Sequence, residues 1–86
     1  MLAQSAASAL LGRASGRTTA APKLSAQEVN VLRAAARGQT NGEIGTALLV
    51  SEATVKTYLA RAYEKLGVND RTSAVLRAIA LGLIAA

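Results

Sequence analysis

The sequence predicts an all-α fold: four amphipathic helices behind an N-terminal linker or short helix. Three observations carry that prediction. The 86 residues include 20 alanines and two tyrosines but no Phe or Trp, a composition that favours closely packed helices over sheets. No stretch alternates apolar and polar residues as a half-buried strand does, and no segment repeats. Residues that cap helices recur just ahead of runs whose apolar positions are spaced three and four apart.

Residues 1–23 stand apart from the rest. Leu2, Ala6 and Leu10 recur at i, i+4 and i+8, the spacing of a short helix over residues 3–11. Gly12 and Gly16 would end it. Residues 12–23 then read as a linker with the single proline, Pro22. Arg13, Arg17 and Lys23 are balanced by no acid, so a flexible basic tail over the whole of 1–23 fits the composition as well.

Residues 24–84 read as one folded domain. Ser25 and Glu28 form a capping box, in which the serine side chain accepts from the glutamate amide and the carboxylate returns the bond. The first helix turns Val31, Leu32 and Ala35 inward and stops at Gly38. Thr40 and Glu43 make a second box, opening a short helix with Ile44, Ala47 and Leu48 on one face. Val50 is too apolar for a free loop and is expected to plug the space between helices. Ser51 caps the third helix, residues 52–66, whose inner stripe is Val55, Leu59, Ala62 and Leu66 ahead of Gly67. Asp70 caps the last helix, which continues to about Leu81.

Composition removes several classes of function. With no Cys and no His, zinc fingers, thiol chemistry and Ser-His or Cys-His catalysis are excluded. No cofactor or metal is expected. Most of the five acids, Glu28, Glu43, Glu52, Glu64 and Asp70, sit where helix starts favour negative charge, so an enzyme is not expected either. No apolar run is long enough to span a bilayer, and residues 1–11 lack the positive start of a secretory signal. The expected location is cytoplasmic. Ten Lys and Arg against five acids leave a net charge of +5, which suggests a polyanionic partner. Single-stranded nucleic acid is disfavoured by the scarcity of aromatic platforms. A lipid surface for the basic N-terminus and a protein-only role stay open.

Two helices joined by a tight turn, the second long and amphipathic, have the shape of a helix-turn-helix. Opposite the buried stripe of the third helix lie Ala53, Lys56, Thr57, Ala60, Arg61 and Glu64. That face is small and basic toward its N-terminal end. A helix entering the DNA major groove needs small residues for close approach and a few long donors to reach base edges. Taken singly, these residues are equally at home on a solvated surface.

Their order is more specific. Leu24-Ser25-x-x-Glu28-x-x-Val31-Leu32 is followed by Gly38-x-Thr40-Asn41-x-Glu43-Ile44 and then by Leu48-x-Val50-Ser51-Glu52-x-Thr54-Val55-Lys56. Lys65-Leu66-Gly67-Val68 and Arg71-Thr72-x-Ala74 complete the pattern. Together they closely resemble the LuxR-type (NarL/FixJ) helix-turn-helix DNA-binding domain, without a gap over residues 24–84. The resemblance implies double-stranded DNA as partner and the third helix as the recognition helix. It implies base contacts from Lys56 and Thr57, with Thr54 and Val55 near the groove floor. Phosphate contacts would fall to Thr40, Asn41, Ser51, Tyr58, Arg61 and Lys65, while Glu28 and Glu43 serve as caps.

Three departures from the family pattern stand out. Gly45 occupies a position usually held by alanine, which should weaken its helix by up to about 1 kcal/mol. Ala62 replaces a larger aliphatic, and Ala60 stands where some members place a basic residue. On the last helix Thr72, Leu76, Ile79 and Leu83 form a second stripe, offset from Ala74, Ala78 and Leu81. A homodimer through that stripe is expected, with packing against residues 2–11 as the alternative. The N-terminal segment is similar to the connection between a receiver domain and this type of domain in response regulators. The chain then reads as the effector end of a larger regulator or as a stand-alone one.

Overall fold

Each helix begins where a side chain closes its first turn. The computed structural model describes residues 22–86; the expected helix over residues 3–11 and the linker through residue 21 lie outside them. Four helices follow in order: α1 (Ala26–Ala36), α2 (Asn41–Leu48), α3 (Glu52–Leu66) and α4 (Arg71–Ala80). At α1 the Glu28 amide donates to Ser25 Oγ (3.1 Å) and Glu28 Oε1 accepts from the Ser25 amide (2.9 Å). The same reciprocal box joins Thr40 and Glu43 at α2. Ser51 Oγ accepts from the Thr54 amide at α3, and Asp70 Oδ1 from the Ser73 amide at α4. Each such cap contributes about 1 kcal/mol, which matters in a domain with so small a core.

The core is built from the inner faces of all four helices. Val31, Leu32, Ile44 and Val55 are its largest fully buried side chains, each stabilising by roughly 1.5–3 kcal/mol through the area it removes from water. α3 packs against each of the other three helices, so its rotation is set by Val55, Leu59, Ala62 and Leu66, all buried. Val50 and Leu24 pack half-buried against the cluster, in line with the plugging role expected of Val50.

The structure departs from the periodicity in two places. On α2 the inward positions are Ile44 and Gly45, while Ala47 is exposed and Leu48 half-buried. Gly45 is there for close approach. A methyl at its Cα would lie 2.8 Å from the Val50 carbonyl oxygen, a backbone atom that could yield only by moving the turn. The expected weakening of α2 by a glycine is therefore set against backbone contact between α2 and the turn, which a Cβ would obstruct. At the other end, α4 stops at Ala80, and the Leu83 amide bonds back to the Ala78 carbonyl. That turn carries Ile84 into the core, 5% exposed. Leu83 therefore falls outside the helical register that placed it on the outer stripe, and it packs half-buried against the core instead.

Between α2 and α3 the chain reverses over Leu49-Val50-Ser51. Leu49 takes the left-handed conformation (φ 61°, ψ 40°) with its side chain 91% exposed. An L-residue is strained there, and this leucine gains almost nothing from burial. Leu49→Gly is expected to stabilise the domain by about 0.5–1 kcal/mol, read as a Tm higher by a few degrees. An unchanged or lower Tm would show that this strain is absent in solution.

Candidate nucleic-acid interface

With its inner row locked into the core, α3 leaves Ala53, Lys56, Thr57, Ala60, Arg61 and Glu64 exposed, as the helical spacing predicts. Thr57 and Ala60 separate the two long cations and keep the surface low. Among the described residues the one salt bridge joins Lys65 to Glu28, so Lys56 and Arg61 are without ion-pair partners. Thr57 Oγ1 donates to the Ala53 carbonyl (3.2 Å), which leaves its lone pairs and methyl free. Ser51 Oγ accepts from the Thr54 amide and donates to Thr54 Oγ1 at 2.9 Å. The Thr54 hydroxyl hydrogen is then available to a further acceptor.

The starts of two helices adjoin this face. A methyl on Gly42 would lie 3.7 Å from Glu52 Oε1 and 3.9 Å from Thr40 Oγ1, so the N-termini of α2 and α3 sit side by side. First-turn amides carry partial positive charge, which at these two starts is offset by the Glu43 carboxylate on the Thr40 amide and by Glu52 in the first turn of α3. Thr40 and Ser51 are both exposed at this junction, and Asn41 is half-buried. The structure thus sets Thr40 and Asn41 at the start of α2, and Ser51, Thr54, Lys56 and Thr57 at the cap and first turns of α3.

One expected contact is corrected, and the side chain of another is engaged within the fold. Val55 is 0% exposed within the core; the same helical turn that points Lys56 outward points Val55 inward, so it has no surface to offer a base. Lys65 lies at the far end of α3, where its Nζ binds Glu28 Oε1 at 2.8 Å and the Lys23 carbonyl at 3.4 Å. The Glu28 carboxylate is nearly buried, and burial by itself pushes its pKa up. The Lys65 ammonium and the Ser25 amide and hydroxyl outweigh that and hold it below its ordinary value. Lys65 is the counter-charge of a buried acid. Tyr58 is half-buried and packs against the core. On α4, Thr72 and Leu76 are exposed while Ile79 is half-buried.

One residue of this region has a role that sequence reasoning missed. Arg71, at the first position of α4, donates from Nη1 to Asn41 Oδ1 (2.9 Å) and from Nη2 to the Gln39 carbonyl. A signal was present: a cation in the first turn of a helix opposes the helix dipole, so something else must hold it there.

Residues 22–78 match the family model of GerE, the bacterial regulatory proteins of the luxR family. The chain belongs to the LuxR family. This LuxR-family chain is 49% identical over 61 residues to the quorum sensing-dependent transcriptional regulator VjbR of Brucella ovis, covering 71% of this chain and 24% of that protein. It is 51% identical over 59 residues to the probable transcriptional regulatory protein NarL of Mycobacterium tuberculosis, covering 69% and 27% respectively. The chain thus spans about a quarter of the length of these curated relatives. Among solved structures it matches the response regulator ChrA of a heme-sensing two-component system with a TM-score of 0.70 and 44% identity, over 72% of this chain and 31% of that one. The transcription factor GerE matches with a TM-score of 0.66 and 30% identity, over 69% and 88%. The four-helix LuxR-type fold expected from the sequence is the one found. LuxR-family proteins are DNA-binding transcriptional regulators and not enzymes. No helix among the described residues is long and apolar enough to cross a membrane.

Proposed function

We propose that this domain binds double-stranded DNA sequence-specifically by inserting the N-terminal half of α3 into the major groove. The observation that carries the reading is the outer face of α3. Lys56 and Arg61 project from a low Ala/Thr surface without ion-pair partners, beside the paired N-termini of α2 and α3. Lys56 donates to base-edge acceptors, for which guanine O6 and N7 are the usual match. Thr57 and Thr54 supply a methyl and hydroxyls to neighbouring bases. Thr40, Asn41, Ser51, Tyr58 and Arg61 hold phosphates and so set register. Two copies associate through Thr72, Leu76 and Ile79 of α4 and read paired half-sites. The domain serves as the DNA-binding part of a cytoplasmic transcription regulator, located at the nucleoid when bound. Its match to ChrA favours an upstream receiver domain, although the similarity to VjbR is consistent with other input domains. A phosphorylatable receiver encoded in frame upstream would decide between them.

The test is fluorescence anisotropy on duplex DNA carrying the operator, at two salt concentrations. Lys56→Ala is expected to weaken operator binding about 10- to 100-fold, with little change on unrelated duplex. The wild type should lose affinity steeply as salt rises. Equal affinities of wild type and Lys56→Ala for every duplex would remove Lys56 from the groove and the reading with it.

A further inference from the structure

We infer that Arg71 is a positioning residue for phosphate binding: it orients the Asn41 amide at the start of α2 so that its NH2 group faces the DNA backbone. The inference rests on the DNA-binding reading above.

The guanidinium reaches across 30 positions of sequence to Asn41 Oδ1 at 2.9 Å, and its other arm holds the Gln39 carbonyl. Both partners belong to the segment that turns into α2, so one planar fork pins the loop and the first side chain of the helix together. An asparagine amide has two chemically opposite ends, an acceptor oxygen and a two-hydrogen donor. Free to rotate, it presents either end outward, and the oxygen would repel a phosphate. With Oδ1 bound to a cation, Nδ2 must point the other way. No protein acceptor for Nδ2 is found among the described hydrogen bonds. Thr40, which caps α2 beside Asn41, has its Oγ1 turned to the Glu43 amide, so the hydroxyl hydrogen of Thr40 and the Nδ2 hydrogens of Asn41 form a donor pair at this corner. Arg71 is half-buried and acts through Asn41; it needs no phosphate of its own.

A double-mutant cycle in duplex-DNA affinity tests this, using Arg71→Gln, Asn41→Ala and the double variant in the full chain. Each single substitution is expected to lower affinity about tenfold, the order expected for a hydrogen bond to a charged group. In the Asn41→Ala background, Arg71→Gln should cost nothing further. The salt dependence should be unchanged by Arg71→Gln, because a neutral amide releases no counterion. Additive losses would overturn the inference, since a merely structural arginine weakens both backgrounds alike. A slope reduced by about one would also overturn it, by making Arg71 a direct phosphate ligand. Should Arg71→Gln fail to fold, the same cycle with Arg71→Lys, which keeps the charge and loses the fork, carries the test. A wild type with no duplex affinity would instead sink the DNA-binding reading itself, whatever the cycle gives.

Discussion

Glu28→Ala is expected to destabilise the domain by about 2–3 kcal/mol, the largest effect on stability among the substitutions considered. Glu28 Oε1 accepts both the Ser25 amide and the Lys65 ammonium, so one truncation removes half a capping box and the counter-charge of a cation. The two losses differ in kind. The cap accounts for about 1 kcal/mol. The ion pair has one side nearly buried and the other at the surface, with side-chain exposures of 4% and 40%. Lys65 can regain water, so its loss falls short of the 3–5 kcal/mol typical of a fully buried pair. Domains of this size have total stabilities of order 3–10 kcal/mol, so the variant should show a much lower urea midpoint. Glu28→Gln, which can still accept the Ser25 bond, should fall between.

The same group predicts a pH dependence with a definite sign. Burial raises the Glu28 pKa, but the Lys65 and Ser25 interactions more than compensate and the net shift is downward from 4.5. A carboxyl with a depressed folded-state pKa contributes its stability above the unfolded value. It loses that contribution as pH falls through the folded value. Wild-type stability should therefore decline below about pH 4.5 more steeply than that of Glu28→Gln. Parallel acid curves, or a Glu28→Ala midpoint matching the wild type, would show the pair to be energetically idle.

Leu76→Glu should abolish tight binding to DNA carrying two half-sites and spare binding to one. Leu76 is 62% exposed on α4, next to exposed Thr72 and the open groove formed by Ala35, Ala36 and Val75. In a two-fold interface the same patch faces itself, so each copy would bring a carboxylate toward the other's. Linking two recognition helices makes the second binding event intramolecular, and losing that link costs about 100-fold or more in affinity. Because Leu76 is exposed in the single copy, the isolated domain should melt within about 0.5 kcal/mol of wild type. Equal affinity of variant and wild type for the paired site would place the dimer surface elsewhere.

Both expectations depend on residues whose neighbours in space are far away in sequence, and that marks the boundary of what could be read without the fold. Helix starts at Ser25, Thr40, Ser51 and Asp70 were legible because a cap bonds to an amide three residues on. The inner row of α3 and its outward Lys56, Thr57 and Arg61 were legible because 3.6-residue periodicity assigns each side chain a face. Helix rotation alone already separates Val55 from Lys56; a motif carried over as a block blurred them. The fate of Lys65 was beyond local reasoning, because its partner lies 37 positions away. So was that of Arg71, held by a loop 30 positions back. Gly45 and Ile84 belong with these: one is required by how closely α2 meets the following turn, the other by where the chain returns after α4. Short-range hydrogen bonds and periodicity determined the four helices and the outward face of α3 proposed to meet DNA. Which charges remain free to act there was decided only when the helices packed, because pairing depends on distances that packing alone sets.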